Sequence, residues 1–318
     1  MKKSLAILLA TYNPRINWLI ELLQSLNQQS YPNLHLYVRD DASSTISLCE
    51  LRALLSQYIT CFPFDLSRNA QNIGSTQTFA ALLLDCKEHY VSFCDQDDVW
   101  DIGKTAALVA RLESAPLHPL LVCSNVRVID ANGKIISPTI EQHRRRHRFA
   151  AGHGLAPSLI YRNFAIGCTV AMERARAVSY LPFPDALLHD HYLAFRAAVD
   201  GALDYIAEPQ LSYRVYGGNQ TGVMRQVDRK QDYKIHRIDR FLRRVRALGK
   251  RVELPALDEA EAWGKARQDH FNHIRGSTKR LWRLRRLNLS VSLFELVALR
   301  LPSPLFRLSI ALIRRGWL

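Results

Sequence analysis

The chain has 318 residues, of which 48% are hydrophobic and 23% are charged, a globular composition that excludes a collagen-like, coiled-coil or largely disordered protein. Lysine and arginine outnumber aspartate and glutamate by 14. Residues 231–318 hold 20 basic and 8 acidic side chains, whereas residues 1–230 hold 23 and 21, so the positive charge belongs to the C-terminal quarter.

Residues 4–115 alternate short apolar runs with amphipathic stretches of helical length. This pattern predicts β-α-β units that build a largely parallel sheet. The apolar run after Met1-Lys2-Lys3 stops at Thr11 without a small-residue cleavage site, so we interpret it as a strand rather than a leader peptide. The predicted strands are Leu5–Ala10, Leu34–Arg39, Ile59–Asp65 and Tyr90–Cys94, with helices around Trp18–Leu26 and Leu51–Tyr58.

The pattern changes after residue 116. Leu120–Ile129 precedes an Asn132-Gly133 turn, which predicts a hairpin strand. The following predicted elements are a buried strand at Ala165–Met172, a helix at Asp190–Val199 and a strand at Leu203–Ile206. From residue 223 the chain is predicted to be helical and rich in arginine.

Ligands of doubly wound sheets bind at the carboxyl ends of the strands, so the residues that follow each predicted strand are candidates for a site. Asp95-Gln96-Asp97-Asp98 crowds three carboxylates at one strand end, where they repel one another unless a cation neutralises them. Oxygen ligands without cysteine or histidine favour Mg²⁺ or Mn²⁺. The alternative is an exposed acidic turn or helix N-cap.

A second acidic pair, Asp40-Asp41, follows the second predicted strand and precedes Ala42-Ser43. Aspartate and serine are also ordinary turn residues. Two acidic strand ends on one edge nevertheless suit a nucleoside-diphosphate ligand, since one can bind a base or ribose and the other metal-bound phosphate.

His189-Asp190-His191 precedes a helical stretch. Asp190 could act as a general base, or simply cap the helix. A zinc site is conceivable, but the two histidines lack i, i+4 spacing and a third ligand.

The order and spacing of these motifs resemble those of family 2 glycosyltransferases of the GT-A fold, and most closely the rhamnosyltransferase-like branch. The resemblance covers residues 4–222. It rests on the following segments: Leu9-Ala10-Thr11-Tyr12-Asn13, Asp40-Asp41-Ala42-Ser43, Asn72-Ile73-Gly74, Asp95-Gln96-Asp97-Asp98-Val99-Trp100, Gly167-Cys168-Thr169, His189-Asp190, Tyr213-Arg214 and Gly217-Gly218-Asn219-Gln220-Thr221-Gly222.

The resemblance implies roles for individual residues. Asp190 would be the catalytic base, and Asp97 and Asp98 would hold Mg²⁺ or Mn²⁺ with Asp95 as the outer member of a D-x-D element. Tyr216 stands where related sequences often have histidine, and Arg214 would still meet the diphosphate. The residues implied to bind the nucleotide sugar are Thr11 and Tyr12 at the base, Asp41 on the pyrimidine, and Asn13, Asn72, Gly74, Asp97 and Arg214.

The implied fold is a Rossmann-like mixed sheet flanked by helices, in a catalytic domain 1–222 with a nucleotide-sugar half near 1–115 and an acceptor half near 116–222. The implied activity is inverting, metal-dependent transfer of a sugar from a UDP- or dTDP-sugar to a lipid-linked or oligosaccharide acceptor. The expected setting is O-antigen or capsule biosynthesis at the cytoplasmic face of a bacterial inner membrane.

Two other functions remain open from the residues alone. A sugar-phosphate nucleotidyltransferase also uses acidic metal sites, although its glycine-rich basic loop is absent at Thr11-Tyr12-Asn13-Pro14. A non-catalytic membrane- or nucleic-acid-binding protein would explain the basic C-terminus but not the acidic clusters.

The basic region 223–318 predicts contact with an anionic partner. It contains no window of about 18 uncharged apolar residues, so no membrane-spanning helix is predicted. On a helical wheel for Pro304–Trp317, Arg307 and Arg314 share a face with Ala311, and leucines turn away. This pattern favours a peripheral helix in an anionic membrane interface, and no nucleic-acid partner is expected. A solvated basic face, or packing on the catalytic domain, is the alternative.

Overall fold

The computed structural model describes residues 2–114, 117–144, 146–217, 224 and 226–314. The chain divides into two units, Met1–Gly217 and Gly218–Leu318. Residue 222, where the sequence places the domain boundary, and the Gly218–Gly222 motif lie outside the described residues.

Parallel strands form the N-terminal part of the sheet. Apolar residues Leu5 to Leu9 of the first strand are fully buried, because helices pack on both faces of a parallel sheet. The strands are β1 (Leu5–Thr11), β2 (Leu34–Asp40), β3 (Phe64–Arg68) and β4 (Tyr90–Cys94), and the helices are α1 (Ile16–Asn27), α2 (Leu48–Tyr58) and α3 (Ser75–Asp85). The prediction of a strand at Ile59–Asp65 is wrong in its position: the N–H of Ile59 still bonds to Leu55 at the end of α2, and the strand begins at Phe64.

Both predicted halves of the catalytic domain contribute to one mixed sheet, since β4 pairs with an antiparallel strand of the second half. The additional strands are β5 (Val99–Trp100), β6 (Leu121–Ile129), β7 (Ile135–Ser137), β8 (Ala171–Glu173) and β9 (Leu203–Arg214). The order of the sheet is β3-β2-β1-β4-β8-β6-β9-β5, with β7 paired to β6. The helices of this part are α4 (Lys104–Leu112), α5 (Ile140–His143), α6 (Ala156–Tyr161), α7 (Arg174–Ser179) and α8 (His189–Asp200).

Two strands of the second half differ from their predictions. The segment Ala165–Met172 is mostly not a strand: a 3₁₀ turn at Gly167–Thr169 precedes the short β8. The last strand is longer than predicted and extends from Leu203 to Arg214. It therefore carries Arg214 to the end of the sheet that holds the acidic run.

The second unit is helical, as its sequence predicts. Its elements are α9 (Lys230–Tyr233), a π-helical stretch Lys234–Asp239, α10 (Arg240–Gly249), α11 (Pro255–Phe271), α12 (Ser277–Leu284), a 3₁₀ turn Arg285–Asn288, α13 (Leu289–Ala298) and α14 (Ser303–Arg314). Within the described residues, no helix is both long enough and apolar enough to cross a bilayer.

A buried ion pair lies at the centre of this unit. The guanidinium of Arg267 donates to both carboxylate oxygens of Glu295 at 2.6 to 3.0 Å, and the hydroxyl of Tyr233 donates to the same carboxylate at 2.9 Å. Arg267 also lies over the ring of Trp263. The charge of Glu295 is thus fully compensated inside the unit.

The last helix packs through a face that the helical wheel did not single out. Phe306 and Ile310 are buried and join a core with residues from the start of the unit, including Val227. Arg314 donates to the carbonyl oxygens of Met224 and Val227 and pairs with Asp228. Arg314 therefore bonds within its own unit.

Candidate active site

The acidic run forms the loop between β4 and β5, at the carboxyl end of β4. Asp98 is fully buried, whereas Asp95 and Asp97 are partly exposed. The side chain of Gln96 exchanges two hydrogen bonds with the backbone of Tyr12, accepting from its N–H at 2.8 Å and donating to its carbonyl at 3.0 Å. This reciprocal pair fixes the acidic loop to the end of β1.

Asp98 lies behind the two more exposed carboxylates. Its Oδ1 accepts from the backbone N–H of Arg214 at 3.0 Å, whereas its Oδ2 is buried without a hydrogen-bond partner among the described residues. One potential ligand atom from each of Asp95, Asp98 and Cys168 lies within 4.8 Å of the other two. The structure therefore brings part of the predicted metal site together and adds a cysteine to it.

The carboxylates of the acidic run are buried and repel one another, and little positive charge lies nearby to compensate them. Burial raises the pKa of Asp95, and the charges of Asp97 and Asp190 raise it further. Burial also raises the pKa of Asp98 well above its usual value. Lys104 is fully buried nearby, against the ring of Trp100, and burial lowers the pKa of its ammonium to about 7, which limits its value as a counter-charge.

This set of donors fits a hard divalent cation. Carboxylate oxygens are the ligands that Mg²⁺ and Mn²⁺ prefer. Burial and the neighbouring Asp98 and Asp95 raise the pKa of Cys168 well above the normal thiol value, so this cysteine remains a neutral thiol and does not favour a thiolate-binding metal.

Arg214 is almost completely buried and bonds to three parts of the unit. Its Nε donates to the backbone carbonyl of Asp97 at 2.9 Å, and its Nη2 pairs with Glu21 on α1. The guanidinium also lies over the ring of Trp18, 5.0 Å from its centroid. These contacts hold the Asp97-Asp98 turn in place, and the diphosphate contact that the resemblance implies for Arg214 stays a prediction.

Tyr216 is the residue that the resemblance places where related sequences often have histidine. Its hydroxyl donates to the carboxylate of Asp97, and its ring packs against Trp18 with centroids 4.8 Å apart. The guanidinium of Arg15 lies 4.2 Å from the centroid of the Trp18 ring and 5.4 Å from that of Tyr216. The substitution therefore keeps a hydrogen-bond donor beside Asp97.

The ends of β1 and β2 form the second part of the site. Thr11 is buried, and its hydroxyl donates to Asp40. The side-chain oxygen of Asn13 accepts from the backbone N–H groups of Ser44 and Thr45, which orders the turn after Asp41. Tyr12, in contrast, is 48% exposed and is available to a ligand.

The carboxylate of Asp41 organises the loop before α3. It accepts from the side chain of Asn69 at 2.8 Å and from the backbone N–H groups of Ile73 and Gly74 at 2.9 and 2.8 Å. Gly74 has a φ of +83°, a conformation that favours glycine. Asn72, in the same loop, is exposed.

Asp190 begins α8 near the acidic loop. Its carboxylate accepts from the backbone N–H of His191 at 2.6 Å, and from the N–H of Gly167 and the side chain of Asn163. Burial nevertheless raises its pKa to about 6. Such a carboxylate is ionised at neutral pH and still basic enough to accept a proton.

The two histidines beside Asp190 have separate structural roles. His189 packs against the rings of Phe79 and Phe93, and burial lowers its pKa to about 3. His191 contacts the carbonyl of Leu159 at 2.6 Å through Nε2. A cluster containing these histidines is not among the candidate metal groups of the described residues, so the geometry gives no support to the zinc alternative.

Several functional contacts could not be read from the sequence. Gln96 lies inside the recognised motif, but nothing in the motif shows that it bonds to Tyr12. Glu21 lies on a helix with ordinary amphipathic spacing, 193 residues from its partner Arg214. Asn163 lies in an irregular segment.

Comparison with known proteins supports this interpretation. The family model described as glycosyl transferase family 2 matches residues 6–172, more than half of the chain. A dTDP-rhamnosyl transferase, RfbG of Shigella flexneri, is 25% identical over 233 residues, which span 67% of this chain and 73% of the relative.

Solved structures show the same fold at low sequence identity. TarS residues 1–349 from S. aureus, in complex with UDP-GlcNAc, gives a TM-score of 0.62 at 15% identity, covering 98% of this chain and 92% of that one. The mannosyltransferase PcManGT from Pyrobaculum calidifontis, with GDP-Man and Mn²⁺, gives 0.60 at 16% identity, covering 99% and 86%. These likenesses confirm the GT-A fold predicted from the sequence. The chain belongs to glycosyl transferase family 2.

Proposed function

We propose that this glycosyltransferase moves a sugar from a nucleoside-diphosphate sugar to a hydroxyl group of a lipid-linked or oligosaccharide acceptor, with inversion. The observation that carries this proposal is that the Cβ position of Gly167 lies 3.7 Å from Cβ of Asp190, and that the next residue, Cys168, lies within 4.8 Å of ligand atoms of Asp95 and Asp98. A candidate base thus lies near a candidate cation site, as a single displacement requires.

The chemistry follows from this arrangement. Asp190 accepts the proton of the acceptor hydroxyl while that oxygen forms a bond to the anomeric carbon. The bond between that carbon and the diphosphate oxygen breaks, and the electron pair leaves with the nucleoside diphosphate. No covalent sugar–enzyme intermediate is needed, in contrast to retaining glycosidases.

We assign the cation site to Asp95 and Asp98, whose potential ligand atoms lie within 4.8 Å of one another, together with Asp97 of the same turn. The sequence named Asp97 and Asp98, and Asp95 joins them because its carboxylate lies beside that of Asp98. Mg²⁺ or Mn²⁺ bound there would supply positive charge for the leaving diphosphate. Tyr216 orients Asp97, and Arg214 holds the turn on which both aspartates lie.

The donor is proposed to be a UDP- or dTDP-sugar, and the dTDP-rhamnosyl transferase relative supports rhamnose among the candidates. Tyr12 is exposed at the end of β1 to contact the base, and Asp41 orders the loop that includes Asn72 and Gly74. A role in bacterial surface polysaccharide synthesis, at the cytoplasmic face of the inner membrane, would bring the enzyme to lipid-linked acceptors.

The test is a donor panel. Purified protein with Mn²⁺ is titrated calorimetrically with UDP-, dTDP- and GDP-sugars, and release of nucleoside diphosphate is then measured with lipid-diphosphate acceptors. We expect Asp190→Asn to bind the preferred donor and to lose roughly 100-fold or more in rate. Asp185→Asn is the matched control, since that carboxylate is exposed and accepts a hydrogen bond from the side chain of Gln77 at 3.0 Å. Failure to bind any nucleotide sugar would overturn the proposal.

A further inference from the structure

Residues 274–314 carry almost exclusively positive charge. This stretch contains nine lysine and arginine residues and one acidic residue, Glu295. Glu295 is fully buried in its ion pair with Arg267, so it presents no charge to solvent. Arg280 and Arg314 have acidic partners in Asp269 and Asp228, which leaves most of the cationic charge available to an external anion.

Exposed aliphatic side chains accompany this charge. On α13, Leu289, Leu293 and Val297 are 51%, 43% and 63% exposed, and their four-residue spacing places them within about 80° of one another on the helix. The opposite face of α13 carries Ser292 and Glu295, which are buried. The exposed leucines and valine are therefore an outward stripe.

The last helix repeats this arrangement. Leu305 and Leu308 are about half exposed, whereas Phe306 and Ile310 are buried in the core of the unit. Ile274 and Trp282 are also half exposed. We call the exposed side chains of residues 274–314 the basic–apolar surface.

We propose that the basic–apolar surface binds the interface of an anionic lipid bilayer, with the aliphatic stripes of α13 and α14 in the headgroup region and the arginines on lipid phosphates. Such an interface offers an apolar layer and negative charge in the same place. This inference deepens the proposed membrane location, but it is independent of the sugar-transfer reaction.

A second copy of the chain or a nucleic acid would match only one of the two features of this surface, its apolar side chains or its positive charge. A second copy of the chain would bring like charges together. A nucleic acid would neutralise the arginines but leave the aliphatic side chains in water, and the exposed aromatic ring of Trp282 already has the guanidinium of Arg285 4.0 Å from its centroid, where a base would stack.

The proposed membrane contact does not include the helical face that carries Arg314, because that arginine bonds to Met224, Val227 and Asp228. A truncation of the last helix is therefore not a suitable test. Deleting residues 303–318 would remove Phe306 and Ile310 from the core, so loss of binding could follow from unfolding. Substitutions of exposed residues avoid this problem.

The test uses the full chain in co-sedimentation with vesicles of phosphatidylglycerol and phosphatidylcholine, and with phosphatidylcholine vesicles alone. We expect binding to the anionic vesicles that weakens at high salt. Leu293→Gln combined with Val297→Gln should lower partitioning about tenfold or more. Arg283→Gln combined with Arg286→Gln should lower partitioning to the anionic vesicles mainly at low salt. The control is Leu84→Gln combined with Ile135→Gln, two exposed apolar residues of the other unit, and melting curves verify that each variant is folded.

Undiminished anionic-vesicle binding by the folded Leu293→Gln, Val297→Gln protein would overturn the inference, as would equal loss in the control pair. Binding of the wild-type protein to a single-stranded RNA in preference to vesicles would replace the lipid with a nucleic acid. Calorimetric measurement of donor binding by the same variants separates the two proposals. A variant that loses vesicle binding but still binds the donor supports the basic–apolar surface as the lipid-binding site. A protein that binds vesicles but no donor contradicts only the proposed sugar-transfer reaction.

Discussion

At the scale of single residues, Arg214 is bonded within its own unit, beside the aspartates that we propose hold the cation. It is buried, and its guanidinium pairs with Glu21 and donates a hydrogen bond to the carbonyl of Asp97. Sequence motifs identify the arginine, but not its partner on α1, because the pairing depends on the length of β9 and on the packing of α1.

We predict that Glu21→Ala destabilises the protein by about 1 to 3 kcal/mol, because it leaves the buried guanidinium of Arg214 without its carboxylate. Glu21→Gln, which retains an acceptor, should recover part of this loss. Urea denaturation measures both. If Arg214 instead serves the diphosphate, both variants will have wild-type stability.

We predict that Tyr216→Phe weakens Mn²⁺ binding roughly tenfold, a typical cost of removing a group that orients a metal ligand. The substitution removes the hydroxyl that donates to Asp97 and keeps the ring that packs on Trp18. Electron paramagnetic resonance titration of Mn²⁺ measures the effect, with Tyr205→Phe as the control. Unchanged affinity would show that Asp97 needs no such donor.

We predict that the transfer rate rises with pH through about 6, because Asp190 must be ionised to accept a proton and burial raises its pKa to that value. The same shift affects stability in the opposite direction. A raised pKa means that the folded state favours the protonated form, so its stabilising contribution is complete below the usual value and is lost as pH rises through about 6.

Asp190→Asn separates these effects. The variant should lack the pH dependence of the rate, and at pH 7.5 it should melt at or above the wild-type temperature, with the difference disappearing near pH 4. Rate profiles and melting curves across this range test both parts. A variant that melts well below the wild type at pH 7.5 would contradict the direction of the shift.

At the scale of elements, Gly167 determines how closely the 3₁₀ turn approaches α8. A Cβ at this position would lie 3.1 Å from Nε2 of His189 and 3.7 Å from Cβ of Asp190, and the N–H of Gly167 also donates to the carboxylate of Asp190. The glycine therefore positions the start of α8.

We predict that Gly167→Ala lowers kcat by about tenfold or more with little change in the donor KM, because a small displacement of a catalytic group is costly. Gly103→Ala is the matched control, since apart from its chain neighbours no described residue comes within 4 Å of the Cβ position there. Steady-state kinetics with a fixed acceptor measure the difference. Equal rates for the two variants would mean that α8 adapts without moving its carboxylate.

The elements also show which parts of the fold a sequence can predict. Continuous apolar runs such as Leu5–Ala10 predicted β1, β2 and β4, because burial on both faces leaves a strong signal. Ile59 and Phe62 are apolar but belong to the end of α2 and the loop before β3. The turn at Gly167–Thr169 lies in an apolar segment with no periodicity, so only its tertiary contacts define it.

At the scale of the whole molecule, each unit has a core of its own. Buried residues from Leu5 to Tyr213 form the core of the first unit, and the second unit has a separate cluster. We predict that residues 1–217 expressed alone fold cooperatively and bind the donor with an affinity within about threefold of the full chain. Circular dichroism melting and calorimetry test this. A molten or insoluble fragment would show that the first unit needs residues 218–318.

The core of the second unit joins residues near both of its ends, with Val227 and Tyr233 on one side and Phe306 and Ile310 on the other. During synthesis the ribosome exit tunnel still shields the last residues when the first unit has already emerged. Domains generally fold in the order in which they are made, and this core cannot close before Ile310 is free. A nascent chain can thus complete its sheet on the ribosome while the core of the second unit still waits for Ile310 to leave the tunnel.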